Sequence, residues 1–492
     1  MAVGHYTIKD FEKMNTVTPS EAEDGTKTTQ APETSRRHLY FTVIIVNCIY
    51  FLSGESMTWT SPVLPVLTTP GTGPILLSHR EASILVRISA TGQVFGPILS
   101  GLLISNIGRK RTIIVMIFLF IAQCSLLFIT LDAVYLYAGK FLGGMAVGMS
   151  VTSLPIYVAE ISDDSVRGML NASPLVFRSV GYLAMYAVGP FVSYFTFSIF
   201  CLVAPILVML LFLWVPESPY YLIATGRKEK AVSHLSWLRG CSERQAQAEA
   251  DKIEISVERS LKNPISIQSF FASRANLRAL FLGMCLVFFR QMCGITVVLY
   301  IMETLFINAN VPLSSSASTI VVGVVMVIAA VTAPPLIKKA GYKRPLIASA
   351  LGMFLSLGLF GLHFYFQARD IVIKSPLYIF LPLLSLMVYI VFFSIGFANN
   401  AYALVGEMFS PNVKAVGTAA TNCFGFICAL LALFLYYSVY EAVGMFASFW
   451  LFSILCLMAA WFVWLFVPET KGLSLDDIQE ILSRPWVSKT VD

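Results

Sequence analysis

Gly108-Arg109-Lys110-Arg111 returns, little changed, as Gly341-Tyr342-Lys343-Arg344. Each copy is followed by an acid and a base seven residues apart, and then by a Pro-Glu turn. In the first half these are Glu160 with Arg167, then Pro216-Glu217-Ser218. In the second they are Glu407 with Lys414, then Pro468-Glu469-Thr470. Three marks recurring in one order at nearly one offset mean two copies of a single unit, set in parallel orientation.

The rest of the chain says what that unit is made of. Of 492 residues, 57% are apolar and only 13% are charged, about half the charge of an ordinary soluble protein. Stretches long enough to cross about 30 Å of hydrocarbon fall at 39–67, 82–107, 112–131, 134–158, 168–194, 197–215, 279–307, 317–337, 345–367, 377–405, 414–437 and 443–467. The expected fold is an all-α membrane protein with twelve transmembrane helices in two six-helix halves.

Basic residues set its orientation. Arg109, Lys110 and Arg111, then Lys338, Lys339, Lys343 and Arg344, and the basic loop 216–278 all fall on one side, with both termini. The opposite loops hold chiefly Arg80, Arg369 and Lys374. The termini are therefore expected in the cytoplasm, and the net charge of +6 reflects topology rather than nucleic-acid binding. Residues 1–38 read as a disordered cytoplasmic tail without an apolar signal core. The remaining divisions are 39–215 and 279–467 for the two halves, 216–278 for a cytoplasmic helical linker and 468–492 for a C-terminal tail. Within the linker, 227–240 and 243–260 have amphipathic helical spacing, as does 473–482 in the tail. Scattered histidines, no Cys/His cluster and no P-loop leave no metal, no cofactor and no enzyme chemistry in view.

Acids and bases gathered at one membrane face can join the halves when that face shuts and part when it opens. Arg109, Glu160, Arg167, Glu217, Lys343, Glu407, Lys414 and Glu469 are the candidates for such a latch, with Glu160 set beside Arg167 and Glu407 beside Lys414.

Five segments in order, PIYVAEISDDSVRG (155–168), PESPYYL (216–222), QMCGI (291–295), GEMFSPNVKAVG (406–417) and PETKG (468–472), resemble the sugar-porter branch of the major facilitator superfamily, and insect facilitated trehalose transporters in particular. The likeness runs from about 39 to 475. It implies the major facilitator fold and facilitative transport of a sugar of the trehalose or hexose class by alternating access, as a uniporter in the plasma membrane. The small-molecule solute and the lipid bilayer would be the partners.

The same resemblance marks the pocket. The family's QQxxGIN becomes Arg290, Gln291, Met292, Cys293, Gly294, Ile295 and Thr296, so one amide survives as Gln291 while Arg290 and Thr296 replace an amide each. In the tenth span the Gly/Pro-rich stretch is reduced to Gly396, followed by Asn399, Asn400 and, at the usual tryptophan, Tyr402. Arg290, Gln291, Thr296, Asn399, Asn400 and Tyr402 are the expected substrate-binding residues. Tyr300 resembles a gate residue, with Gly396 as the second flexible point. The latch also departs from the pattern, with Ser105 and Lys338 where the family has an acid and Tyr220 where it has an arginine.

Arg87, Arg178 and Arg290 lie inside spans, where a charge costs about 2.5–3.5 kcal/mol or more. Each needs a partner, and Glu55 in the first span is the obvious deep acid for Arg290, with Glu303 further along the seventh. A proton-linked porter carries an Asp in the first span. Glu55 lies within one residue of it, and a nearby arginine would make it a fixed charge. A free Arg290 would instead suit an anionic organic solute. A third reading is a transporter-like sensor that signals without turnover.

Overall fold

The computed structural model describes residues 36–130, 132–163, 166, 170, 173–262, 271, 273–371, 375–398, 400–409, 413–471, 473 and 475–483. Among them there are helices and connecting turns but no strand. In chain order the helices are α1 Arg37–Thr58, α2 Thr60–Thr68, α3 His79–Ile107, α4 Arg109–Ile129, α5 Ala133–Ile161, α6 Ser173–Val188, α7 Tyr194–Phe212, α8 Pro219–Ala224, α9 Lys228–Arg239 and α10 Glu243–Lys262. The second half has α11 Arg274–Met292, α12 Ile295–Ala309, α13 Ser315–Ala340, α14 Lys343–Ala368, α15 Pro376–Ile379, α16 Leu381–Ile395, α17 Asn400–Met408, α18 Lys414–Ala442, α19 Met445–Phe466 and α20 Leu475–Ser483.

Eleven of the expected spans are helical segments long and apolar enough to cross a membrane, counted among the described residues. Three of these segments join two helices each: α1 with α2, α11 with α12 and α16 with α17. The span read at 168–194 is the shorter α6, whose first-turn neighbours lie outside the described residues. It packs between α1 and α13, in the place of the fifth membrane segment.

Packing repeats as the sequence does. The contact of α1 with α6 is answered by α11 with α18, that of α3 with α5 by α13 with α16, and that of α4 with α7 by α14 with α19. The halves meet through a symmetric couple, α3 against α18 and α6 against α13. Small residues allow the closest approach. A Cβ on Gly92 or Gly96 of α3 would fall within 2.4 Å of a backbone oxygen of α5, and one on Gly144 or Gly148 of α5 equally close to α3. Such stripes let membrane helices gain dispersion energy where no hydrophobic drive exists between them.

The face at which the described residues begin and end, here the terminal face, bears the helical layer α8 to α10. The opposite face is the distal face. Ser78 opens α3 at the distal face with a capping box, its Oγ accepting from Glu81 N and its own N–H donating to the Glu81 carboxylate. Arg239 of α9, nine-tenths buried, pins the helical layer to the end of α5 through Asp163 at 2.6 Å and the Ile161 carbonyl at 2.6 Å, and holds Glu249 of α10 at 2.9 Å. In the tail, Gln479 of α20 donates to the Met408 carbonyl and Ile478 and Leu482 are buried, so α20 packs against the second half.

Candidate functional site

The seventh span is broken where the sequence places its polar residues. Gly294 separates α11 from α12 at φ 82°, a left-handed conformation that favours glycine, and the Phe452 ring leaves no room there for a Cβ. Gln291 and Thr296 face each other across the break. The Thr296 hydroxyl donates to Gln291 Oε1 at 3.2 Å, and both side chains are buried. That bond uses the amide oxygen and leaves the amide N–H groups as donors for another partner. Tyr389 of α16 donates to the buried carbonyl of Cys293 at the break.

A second break lies between α16 and α17. Asn400 donates from Nδ2 to the Ile395 carbonyl at 2.7 Å, so this amide, expected as a substrate group, secures the end of α16 instead. Gly396 packs against Ser349 of α14, where a side chain would collide. Asn399 lies outside the described residues. Tyr402, one turn into α17, is half-buried and turns its ring toward Arg290.

The intramembrane arginines have partners of an unexpected kind. Arg290 does not pair with Glu55. Its Nε donates to the Ala398 carbonyl at 3.3 Å, and its guanidinium lies 4.8 Å from the Tyr402 ring centre and 5.6 Å from that of Phe393. Arg178 stands over Tyr50 at 5.2 Å, and Arg87 over Phe434 and Tyr437. Faces of aromatic rings, worth about 0.5–2 kcal/mol each to a desolvated cation, stand where the sequence suggested carboxylates. The acid–base reading failed because it matched deep charges by depth alone, although Glu55 and Arg290 belong to different halves.

Glu55 has another basic neighbour, which the sequence reading passed over. Lys140 of α5 is 0% exposed. Its Nζ donates to the Ser56 carbonyl at 2.5 Å, interacts electrostatically with Glu55, and lies 5.4 Å from the Trp59 ring and 5.9 Å from that of Tyr300. Both Glu55 oxygens are buried without a hydrogen bond, although Cys201 lies beside them. Glu303 accepts from Ser316 at 2.7 Å and is not an arginine partner. The signal for Lys140 was present, since a lysine inside an apolar run is as costly as an arginine.

Tyr300 is where the halves lock. Its hydroxyl accepts from Gln93 Nε2 at 2.5 Å and lies 3.2 Å from Ser89 Oγ, both on α3 of the first half. Tyr186 of α6 donates to the Leu299 carbonyl at 3.1 Å, and the Glu303 N–H donates to Ser61 of α2 at 3.0 Å. These described hydrogen bonds between halves sit toward the distal face. Polar residues in α2, α3 and α6 thus join Tyr300 in the contact between halves, whereas Gly396, expected as the second gate residue, lies at the break between α16 and α17 against Ser349.

At the terminal face the contacts among the described residues stay within each half, and no bridge between halves is among them. Arg109 binds Glu160 through Nη2 at 2.6 Å and Nε at 3.1 Å, and Ser218 donates to the other Glu160 oxygen. Glu217 accepts from the backbone of Lys110 and Ser218. In the second half Glu407 accepts from Tyr342 at 2.8 Å and from Thr470 at 3.4 Å. Burial, and then the Glu407 carboxylate beside it, push the Tyr342 hydroxyl above the ordinary tyrosine range. Lys343 interacts electrostatically with Glu469. Arg167 and the side chain of Lys414 lie outside the described residues; among the described ones Glu160 pairs with Arg109 and Glu407 accepts from two hydroxyls. The repeat is geometric here as well. Gly108 and Gly341 both have positive φ, 92° and 80°, and Glu217 and Glu469 come up beneath them at corresponding places.

A family model described as Sugar (and other) transporter matches residues 4–482. The chain belongs to the sugar transporter family. It is 29% identical over 431 residues to the facilitated trehalose transporter Tret1 of Drosophila yakuba, covering 87% of this chain and 50% of that protein. It thus spans about half the length of that relative. A Tret1-2 homolog from Drosophila sechellia is also 29% identical, over 89% of this chain and 90% of that protein. Among solved structures, the proton:xylose symporter XylE bound to 6-bromo-6-deoxy-D-glucose has a TM-score of 0.70 at 22% identity, covering 90% of this chain and 99% of that one. The inward-open xylose transporter XylE from E. coli has a TM-score of 0.72 at 21% identity over the same shares. The fold is therefore the major facilitator fold.

Proposed function

We propose that this chain is a facilitative transporter of a neutral sugar of the hexose or trehalose class, working by alternating access in the plasma membrane. By the positive-inside rule, the basic loops favour the cytoplasm for the terminal face and both termini. The observation that carries the reading is the Tyr300–Gln93–Ser89 cluster, a set of hydrogen bonds between halves at one end of the broken seventh span, with the buried Gln291–Thr296 pair further in on the same span. With the distal gate shut and the described terminal-face contacts confined to each half, this conformation corresponds to one opening toward the cytoplasm.

Gln291, Thr296 and Tyr402 would meet the solute, the amide and hydroxyl supplying directional hydrogen bonds and Tyr402 a stacking face. Arg290 orders that face. Because its charge is already engaged by a carbonyl and two rings, it is not a stranded cation waiting for an anionic solute. The relatives described as trehalose transporters favour the same substrate class. Uptake into liposomes holding the purified chain, with trehalose, glucose and an organic anion offered with and without a pH gradient, tests the reading. Saturable sugar entry that ignores the pH gradient is expected. Entry of the anion alone, or binding without flux of any solute, would replace it with the anion or the sensor reading.

A further inference from the structure

Arg87 stands two turns below the distal end of α3, within the membrane span. Its Nε donates to the Ser83 carbonyl at 3.1 Å and its Nη2 to Ser83 Oγ at 2.7 Å, so its own helix fixes the direction of the guanidinium. So held, the group lies 4.9 Å from the ring centre of Phe434 and 5.5 Å from that of Tyr437, both on α18 of the other half. A cleft of about 300 Å³ lies over it, lined by Arg80, Ser83, Arg87, Tyr437, Ser438 and Glu441.

The physical consequence follows from which half supplies what. A cation inside a span is costly unless compensated, and part of the compensation for Arg87 comes from rings that belong to the opposite half. The contact therefore exists only while α3 and α18 are packed together, and it contributes nothing to a state in which they separate. The Tyr300 cluster is carried by the same helix α3, at Ser89 and Gln93, further from the distal end. One helix thus holds two members of the second half, α12 by hydrogen bonds and α18 by a cation on aromatic faces.

We propose that Arg87 is a positioning residue for closure of the distal face, biasing the chain toward the conformation open at the terminal face through its contact with Phe434 and Tyr437. This rests on the alternating-access reading. A ligand biases a two-state equilibrium only by its differential interaction with the states, and the same holds for a side chain. Here the difference is the strength of the cation–ring contact, which corresponds to about a 3- to 30-fold change in the ratio of the two states.

The test uses the full chain in liposomes, with fluorescent amino acids at Val134 and Val443, both exposed at distal ends of different halves, and single-molecule energy transfer between them. Arg87→Met should raise the distal-open population about 3- to 30-fold, and Arg87→Lys, which keeps a cation, should restore most of the parent ratio. Phe434→Leu with Tyr437→Leu should raise it similarly, and adding Arg87→Met to that pair should change nothing more. Unchanged populations in either set, or additive effects of the two, would overturn the proposal. The ring variants keep it testable should Arg87→Met fail to fold. If populations respond as described while no sugar flux is found, the transport reading fails and this one stands. If sugar flux is normal and populations do not respond, only this one fails.

Discussion

Lys140 Nζ lies 5.9 Å from the ring centre of Tyr300, so a fully buried cation of the first half sits against the gate tyrosine of the second. Lys140 also interacts electrostatically with Glu55. A buried acid and base that interact electrostatically lose that interaction when either is removed. Lys140→Met and Glu55→Gln should each lower the thermal unfolding midpoint of the purified protein, and the double substitution should recover most of the loss. Two single losses that simply add would show that the residues do not act as a couple.

Arg290 and Glu55 should behave independently. Each has its own partners, so Arg290→Gln and Glu55→Gln should add to within about 0.5 kcal/mol in a double-mutant cycle read by stability. Arg290→Gln should also weaken sugar binding several-fold by freeing the Tyr402 ring, without creating preference for anions. A coupling above about 1 kcal/mol would restore the Glu55 pairing that the geometry denies.

Gln291→Ala removes the acceptor of the Thr296 hydroxyl as well as the proposed sugar contact. A loss of about 1–3 kcal/mol in sugar binding is expected, the usual cost of stranding a buried polar group. Titration calorimetry or tryptophan quenching reads it directly. Unchanged affinity in a folded, transporting variant would take Gln291 out of the pocket.

How much of this was legible in the sequence differs from residue to residue. The two-copy plan was visible because Gly108 and Gly341 serve the same positive-φ turn, and Glu217 and Glu469 come up beneath those turns, so the same residue types recur. Gln291, Gly294 and Thr296 were marked by the resemblance of 290–296 to the family motif, and they stand together at the break of the seventh span. Partners were not. Glu160 takes Arg109 from the start of α4, a partner that chain distance does not reveal, while Arg167 lies outside the described residues. The arginines were matched with carboxylates because charge shows in a sequence, whereas an aromatic face from a distant helix looks like ordinary core. Lys140 is the exception, since its charge stands in plain view inside a glycine-rich apolar run.

At the terminal face, Glu160→Gln breaks a two-point contact with Arg109, and Glu407→Gln weakens the bonds to Tyr342 and Thr470. Because both sets lie within a half, each should lower stability by about 1–2 kcal/mol before it alters the balance of open states. Tyr342→Phe should reproduce most of the Glu407→Gln effect in the same unfolding assay. A shift in conformational populations with stability intact would instead return these residues to a latch between halves.

The central claim, exchange of neutral sugar by a carrier that needs no driving gradient, is tested most directly by counterflow. Liposomes holding the chain are loaded with unlabelled glucose or trehalose and diluted into tracer sugar, with pH equal on both sides. The account predicts transient accumulation of tracer above its equilibrium level, abolished when the loaded sugar is replaced by a non-substrate, and reduced in Gln291→Ala. Tracer that never exceeds the level of protein-free liposomes, from a sample shown to be folded, would contradict it.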